Sequence, residues 1–319
     1  MARRLRIFFA TDVHGSDVCF RKFVNAADFY GAKVLILGGD ITGKTITPIL
    51  DLGGGEYRVK FLGEEIQVQG EKRLREVMGR IGEVGSYPHV LAPKEYEELQ
   101  HDPAGIAAVF DRLMSDSVTR WVRLAEDRLR GKDVEVYIQP GNDDTYAIDE
   151  SLNGSDVVVN PDGRVLEMAG GYELLSLGIA NMTPWECPRD VPEDVMAARL
   201  RGLAEGLRRP ERAIFNVHAP PNGTGLDLAP KLDASLTPRL GPGGRPEMVP
   251  VGSTAVLQSL KTYQPFLALH GHIHESKAFA RIGRTLAMNP GSEYQEGILR
   301  GLLIELDGDR IRDHLFVSG

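Results

Sequence analysis

The sequence predicts an α/β fold built on a parallel sheet. A compact apolar run over residues 5–10 is followed by a helical pattern over residues 16–30 and a second apolar run over residues 33–37. A strand, a helix and a strand in so few residues form a βαβ unit, which makes the two strands parallel. The chain has 319 residues, of which 42% are hydrophobic, so it is long enough to bury the large core that this fold needs.

The remaining elements are indicated by apolar runs between turn residues and by apolar residues at helical spacing. We predict a hairpin over residues 57–68, helices over 71–83, 103–130, 192–208 and 253–262, strands over 134–138, 213–217 and 265–269, and short strands after residue 277. Residues from about 51 to 130 interrupt the alternation of strands and helices. We therefore predict a single domain over residues 1–319 with an insertion at about 51–130, which is either a cap over the site or an oligomer surface.

Charge and cysteine content limit the classes of function that are compatible with the sequence. The net charge of −8 gives no basic field that would attract nucleic acid or anionic membranes. A phosphate substrate stays compatible, because bound metal cations are often the largest charges in a site. Cys19 and Cys187 are too few for a disulfide framework. Since no apolar segment approaches transmembrane length, we expect a cytoplasmic protein without a membrane partner.

Polar residues of metal-binding types follow five of the predicted strands. In chain order they are Asp12 and His14, Asp40, Asn142, His218, and finally His272 and His274. Ligands bind beyond the carboxyl ends of strands in α/β sheets, and imidazole and carboxylate groups bind transition metals. Taken singly, Asp12 is as well explained as a helix cap and each histidine as a turn or core residue. Their convergence on one sheet edge favours a metal site.

Two further features bear on the ligand. The first strand is not followed by Gly-x-Gly-x-x-Gly, so a dinucleotide site is excluded. Residues 222–250 form a long Gly- and Pro-rich stretch without a regular pattern. Connections of this length are usually functional, and this one begins beside His218. It is therefore a candidate substrate loop.

The ordered series of motifs resembles the calcineurin-like metallophosphoesterase family. The matching motifs are Asp12-x-His14, Gly39-Asp40, Gly141-Asn142, His218 and Gly271-His272-x-His274. They extend over most of the chain, and the insertion is extra material. The resemblance implies a four-layer αββα sandwich with an inserted hairpin-plus-helices segment and two metal ions, drawn from Mn, Fe, Zn or Ni.

The same resemblance implies a ligand set and an activity. One ion would be held by Asp12, His14, Asp40 and His274, and the other by Asp40, Asn142, His218 and His272. Two bridged ions activate water and clamp phosphoryl oxygens. The implied reaction is hydrolysis of a phosphomonoester or phosphodiester by metal-bound hydroxide. The alternatives are a nuclease of the same family, which the acidic charge disfavours, and a metal-binding interaction module with vestigial activity.

One position departs from the family pattern. The family commonly has a histidine after the asparagine, which helps the leaving group to depart, but here Asp143 follows Asn142. Beside two metal ions an aspartate is expected to be ionised, which makes it a poor general acid. We therefore predict that Asn142 and Asp143 act at the catalytic centre and that esters with acidic leaving groups are preferred. His89 and His101 are candidate proton donors, although each is more simply a surface residue.

Overall fold

The computed structural model describes residues 4–319, so the first three residues of the predicted domain lie outside it. The strands are β1 (Leu5–Ala10), β2 (Val34–Leu37), β3 (Thr45–Gly53), β4 (Glu56–Phe61), β5 (Glu64–Gln69), β6 (Ser86–Leu91), β7 (Glu135–Ile138), β8 (Val158–Val159), β9 (Arg164–Met168), β10 (Tyr172–Leu177), β11 (Ala180–Asn181), β12 (Asp190–Val191), β13 (Ala213–Val217), β14 (Leu228–Pro230), β15 (Met248–Pro250), β16 (Leu267–Leu269), β17 (Ala278–Ile282), β18 (Thr285–Asn289), β19 (Arg300–Asp307) and β20 (Arg310–Ser318). The helices are α1 (Asp17–Tyr30), α2 (Glu71–Glu83), α3 (Pro93–Leu99), α4 (Pro103–Leu129), α5 (Asp149–Asn153), α6 (Glu193–Ala204) and α7 (Thr254–Tyr263).

Two six-stranded sheets form the centre of the molecule. The first has the order β20-β19-β1-β2-β7-β8, and the second has the order β17-β18-β16-β13-β10-β9. In the first sheet β1, β2, β7 and β8 are parallel. In the second sheet β10, β13, β16 and β18 are parallel. The carboxyl ends of these strands therefore meet at one edge of each sheet.

Alternation of side chains along each strand separates four layers. In β1, Ile7 and Phe9 belong to the core between the sheets, whereas Phe8 packs with α1 and α4. In β13, Ile214 belongs to the same core, whereas Phe215 packs with α6 and α7. Because successive side chains point to opposite faces, both faces of each sheet are buried. The predicted α/β class and αββα arrangement are confirmed.

The helices of the outer layers are defined by local signals. The Ser16 side chain accepts a hydrogen bond from the Cys19 N–H and caps α1, and Gly31 ends it with a left-handed φ of 62°. Trp121 of α4 stacks on Phe20 of α1 with ring centroids 4.3 Å apart, so it is a core residue. Across residues 4–319, none of the helices has both the length and the apolar character needed to cross a membrane.

The segment between β2 and α4 forms a small α/β layer of its own. Its sheet has the order β5-β4-β3-β6, and α2 packs on it through a separate core that includes Ile49, Val59 and Val77. The predicted hairpin is β4 and β5, and the predicted helix over residues 71–83 is α2. Strands β3 and β6 and helix α3 were not predicted, partly because Pro48 interrupts the pattern of β3.

The prediction that residues 222–250 form a structureless loop was wrong in part. Strands β14 and β15 pair as an antiparallel ribbon, with Leu228 opposite Pro250. Ser276 anchors the base of this ribbon, because its hydroxyl accepts a hydrogen bond from the Leu228 N–H at 2.8 Å. Because Ser276 follows His274 by two residues, the base of the ribbon contacts the loop that carries His274.

Candidate metal centre

Five loops converge where the carboxyl edges of the two sheets meet. The loops after β1, β2 and β7 of the first sheet and after β13 and β16 of the second carry Asp12, His14, Asp40, Asn142, His218, His272 and His274. Backbone and side-chain hydrogen bonds join these loops across the sheets. The Asp12 N–H donates to Gly39 O at 2.9 Å, and the His272 N–H donates to the Asp12 carboxylate at 3.1 Å.

The side chains form overlapping groups of ligand atoms. Within each group the atoms lie within 4.8 Å of one another: Asp12, His14 and His274 form one, Asp40, His218 and His272 form a second, and His14, Asp40 and Asp143 form a third. His218 Nε2 lies 3.3 Å from Asp40 Oδ2, and His274 Nε2 lies 3.4 Å from Asp12 Oδ1. The clusters have the residues and spacing to hold metal ions.

Unpaired buried atoms show that the side chains fit a cation. His218 Nδ1 lies 3.0 Å from Gly38 O and Asn142 Nδ2 donates to Asp190 Oδ1 at 2.8 Å. These contacts leave His218 Nε2 and Asn142 Oδ1 buried without hydrogen-bond partners among the described residues. An unpaired buried lone pair is costly unless a cation or donor meets it. Imidazole nitrogen with carboxylate and amide oxygen is a donor set that suits a transition metal.

The backbone at the site is strained. Asp12, His14, Asp40 and His272 have φ values of 53°, 38°, 50° and 69°, in the left-handed region that non-glycine residues rarely adopt. Each such residue costs about 1–3 kcal/mol and persists where the surrounding structure holds it. Strain of this kind clusters at functional sites.

Two motif glycines are required by close approach. A Cβ atom on Gly141 would lie 2.1 Å from Asp40 Oδ1, and one on Gly271 would lie 2.5 Å from Asp12 Oδ2. Any side chain at either position would therefore push a carboxylate out of its place. These glycines let the backbone of the β7 and β16 loops pass directly beside the acids.

The cluster of acids stabilises positive charge. Burial alone would raise the pKa of Asp12, but a hydrogen bond with His274 and the charge of His218 lower it to about 2. Burial would likewise lower the pKa of His218, yet Asp40 and Asp12 raise it to about 10. Burial lowers the pKa of His14 to about 3, so that imidazole is neutral. The acids that favour a proton on His218 would attract a metal cation at the same place.

Asp143 has partners that the sequence did not predict. Its N–H donates to Asp40 Oδ1 at 3.0 Å, its Oδ2 forms an ion pair with Lys44, and its Oδ1 accepts a hydrogen bond from Cys187 Sγ at 2.8 Å. Burial and the hydrogen bond with Asp143 raise the pKa of Cys187 to about 12, so the thiol keeps the proton it donates. Burial alone would lower the pKa of Lys44, but Asp143 and Asp40 raise it above its ordinary value. The carboxylate is thus not an isolated negative charge.

Two further acids orient the loops. Buried Asp144 accepts hydrogen bonds from the N–H groups of Ile41 and Thr42 at 3.0 and 2.8 Å and from Gly141 at 2.7 Å, which ties the β2 loop to the β7 loop. Burial and the charge of Asp40 raise the pKa of Asp144 to about 6. Asp190 holds the amide of Asn142, as described above. Asp144 was visible in the sequence beside Asn142, but no local signal marked Asp190.

Three further histidines lie outside the groups of ligand atoms. His270 is fully buried, with Nδ1 2.8 Å from Val217 O, and it packs the end of β16 against β13. His89 lies on β6 and His101 lies between α3 and α4, and neither belongs to a ligand group in the described part of the chain. Their suggested role as proton donors stays a prediction.

The insertion contacts the metal-ligand loops directly. Ser16 Oγ donates to Glu83 O at 2.6 Å, and the Gly43 N–H donates to the Tyr87 hydroxyl at 2.7 Å. The turn between α2 and β6 therefore rests on the loop that carries His14 and on the segment after Asp40. Whether the rest of the insertion covers the site stays a prediction.

Comparison with known proteins finds solved structures with a similar fold. No family model matches the chain. An uncharacterized protein of Methanocaldococcus jannaschii is 28% identical over 161 residues, which is 49% of this chain and 64% of that protein. A solved structure from Thermus thermophilus aligns over 99% of both chains with a TM-score of 0.55 and 15% identity. An archaeal phosphodiesterase aligns over 99% of this chain and 100% of its own with a TM-score of 0.38 and 10% identity, too low for an argument about this chain.

Proposed function

We propose that this chain is a dinuclear metal-dependent phosphoesterase of the calcineurin-like metallophosphoesterase type. The observation that carries the proposal is the place of Asp40, which belongs to two groups of potential ligand atoms, one with His218 and His272 and one with His14 and Asp143. A carboxylate has two oxygens and so can serve two adjacent cations. A site with a single ion would not need this overlap.

The proposed ligand sets are those that the family resemblance implies, and the groups of close ligand atoms support them in part. Asp12, His14, Asp40 and His274 would hold one ion, and Asp40, Asn142, His218 and His272 would hold the other. When bound, a pair of divalent ions activates water and withdraws charge from phosphoryl oxygens. Gly38 O fixes the ring of His218 and Asp190 fixes the amide of Asn142, so that each presents its unpaired atom to the centre.

The proposal defines the substrate only as a phosphoester. A phosphomonoester or a phosphodiester fits the donor set equally well. A nuclease would need a basic track along the strand, which the net charge of −8 does not favour. A vestigial interaction module would be free to lose ligand residues, yet ligand-type side chains stand at all seven predicted positions.

We also propose that the insertion and the β14–β15 ribbon shape access to the centre within one domain. Both contact loops of the centre: the α2–β6 turn contacts the loop of His14, and the ribbon base contacts the loop after His274 through Ser276. Removal of the ribbon over residues 228–250 should change the preference among large substrates more than the rate on a small aryl phosphate ester. Equal effects on all substrates would indicate a structural or oligomeric role.

The central experiment combines metal analysis with a substrate panel. Protein reconstituted with Mn, Fe, Zn or Ni should contain about two ions per chain, as a two-metal site requires. It should hydrolyse at least one of a panel of aryl monoesters, aryl diesters, cyclic nucleotides and nucleic acids. Asp40→Asn should lose both ions and nearly all activity, because the bridging carboxylate is gone.

Asp227→Asn is the matched control. Asp227 is another fully buried aspartate, but it accepts hydrogen bonds from Gly223 and Gly252 and belongs to none of the ligand groups described above. Its metal content per folded molecule should equal that of the wild type. Only trace metal in carefully reconstituted wild-type protein would overturn the proposal.

A further inference from the structure

Lys44 is a cation at the centre to which the proposed mechanism assigns no role. Among the ion pairs of the described residues, only that of Lys44 with Asp143 joins a lysine or arginine side chain to a predicted site residue. Lys44 follows Asp40 by four residues and stands immediately before β3. The sequence carries no local signal for this contact, because Asp143 lies far along the chain.

The surroundings of Lys44 fix where its ammonium group lies. The Thr42 N–H donates to Asp144 at 2.8 Å and the Gly43 N–H donates to Tyr87 at 2.7 Å, so the backbone before Lys44 is held on two sides. The Lys44 side chain is 47% exposed, whereas that of Asp143 is 18% exposed. The lysine is therefore the more solvent-exposed partner of the ion pair.

The acid in turn borders the ligand cluster. A carboxylate oxygen of Asp143 lies within 4.8 Å of ligand atoms of His14 and Asp40. Cys187 donates a hydrogen bond of 2.8 Å to Asp143 Oδ1, and Lys44 pairs with Oδ2. The Asp143 carboxylate is thus held between a thiol and an ammonium group. The lysine side chain is the more exposed partner of this ion pair, whereas His14 and Asp40 are buried, so its ammonium group is accessible to a ligand from solvent.

A purely structural role explains this arrangement poorly. A half-exposed ion pair contributes only about 0–1 kcal/mol to the free energy of unfolding. The segment is already fixed by Asp144 and Tyr87, so the pair is not needed to hold it. The pair nevertheless places a fixed positive charge where the family pattern has a histidine.

We propose that Lys44 is a catalytic residue whose ammonium group contacts the oxygen of the departing group, and that Asp143 is a positioning residue that holds Lys44 there. This inference rests on the proposed phosphoesterase function. As water oxygen bonds to phosphorus, the bond from phosphorus to the ester oxygen breaks and its electron pair goes to that oxygen. Lys44 stabilises the resulting negative charge. The attacking water releases a proton to solvent, and the alcohol leaves after taking a proton from solvent.

The inference reverses an expectation drawn from the sequence. If Asp143 simply placed negative charge beside the leaving group, Asp143→Asn would improve hydrolysis of esters with poor leaving groups. If Asp143 positions Lys44, Asp143→Asn frees the lysine and slows these esters further. Asp143→Glu, which keeps the charge at a longer reach, should restore part of the rate.

The experiment measures kcat across alkyl and aryl phosphate esters whose leaving groups differ in acidity. Lys44→Met should lower kcat on the order of 10²-fold for alkyl esters, comparable with loss of one transition-state donor, and far less for nitrophenyl esters. The dependence of log kcat on leaving-group acidity should steepen. Lys44→Arg, which keeps the charge, should lie between Lys44→Met and wild type.

Two controls separate this effect from misfolding. Lys132→Met removes a lysine of similar exposure, 40%, from an ion pair with Asp28 at 2.7 Å, and should leave the whole series unchanged. Metal content should stay that of wild type in every Lys44 variant. As a second readout, calorimetry with inorganic phosphate should show binding weakened roughly tenfold in Lys44→Met, because one phosphate oxygen occupies the leaving-group position and loses a charged hydrogen bond.

The outcomes are distinct. Absence of hydrolysis by metal-loaded wild type on every ester would overturn the proposed function and this inference with it. Hydrolysis by wild type with the same slope and the same phosphate affinity in Lys44→Met would overturn the inference alone. Faster hydrolysis of alkyl esters by Asp143→Asn would show that Asp143 acts by its own charge and not through Lys44.

Discussion

The core between the two sheets and the edge directly above it differ sharply, although the same strands build both. Phe9 of β1 is fully buried among apolar side chains, and Asp12 follows it by three residues. The edge is equally buried, with Asp12 and His218 at 1% and 0% exposure, yet it carries left-handed backbone and unpaired polar atoms. Burial therefore stabilises the folded protein in the core between the sheets, whereas burial of polar groups at the edge is unfavourable.

This contrast indicates where the free energy of unfolding originates. A fully buried aliphatic or aromatic side chain contributes about 1.5–3 kcal/mol, whereas a left-handed non-glycine residue costs about 1–3 kcal/mol. Roughly one core side chain thus offsets one strained ligand residue. The inter-sheet core thus offsets the strain at the candidate site and holds the side chains there in place.

The largest expected effect on stability is in the core. Leu286 of β18 is 1% exposed and packs between the sheets, at the strand end away from the ligand loops. Leu286→Ala should lower the free energy of unfolding by about 2–5 kcal/mol, through lost burial and a cavity. Urea unfolding measures this change. Metal content and activity per folded molecule should not change, and a selective loss of metal would contradict the separation of the two regions.

An intermediate effect is expected at the edge. Asp190 accepts a hydrogen bond from Asn142 Nδ2 and also from the Thr183 and Cys187 N–H groups, both at 3.0 Å. Asp190→Ala should weaken metal binding about 10–100-fold, because the amide of Asn142 loses its orientation. Competition with a chelator measures the affinity. Exposed Asp156→Ala is the control and should bind metal as wild type does; equal affinity in both variants would exclude the orienting role.

The smallest effect is expected where the two regions meet, at His270. Burial lowers its pKa from 6.5 to about 4. Between these values the unfolded chain binds a proton that the folded protein excludes, so stability falls as pH decreases from about 6.5 to about 4. The slope is at most about 1.4 kcal/mol per pH unit.

His270→Gln should remove this part of the pH dependence, because the amide keeps a donor for Val217 O but does not titrate. Urea unfolding of metal-free wild type and variant at pH 7, 6 and 5 gives the difference. Other buried histidines titrate in both proteins, so only the difference between the two curves is informative. Parallel curves would mean that His270 has the same pKa in the folded and the unfolded state.

The sequence by itself determined the main strands, most helices and the residues of the candidate centre. The predicted bounds of β1 and β13 agree with the structure, and Ser16 and Gly31 mark the ends of α1 in both. These features are local: apolar periodicity records which face is buried, and capping residues act within one turn. The sequence alone could place the strand-end motifs at one site, because parallel strands bring their carboxyl ends to the same sheet edge.

Only the tertiary structure decided which groups surround those motifs. Asp190 lies 48 residues from Asn142, and Lys44 and Asp143 meet although one precedes β3 and the other follows β7. Strand β3 could not be predicted for a related reason, because it pairs with the distant strand β6, with Thr45 opposite Ser86. In addition, Pro48 breaks its strand pattern. Such contacts depend on how separate loops pass over the sheet edges. The physical reason is that no local periodicity or capping preference encodes the path of one loop relative to another.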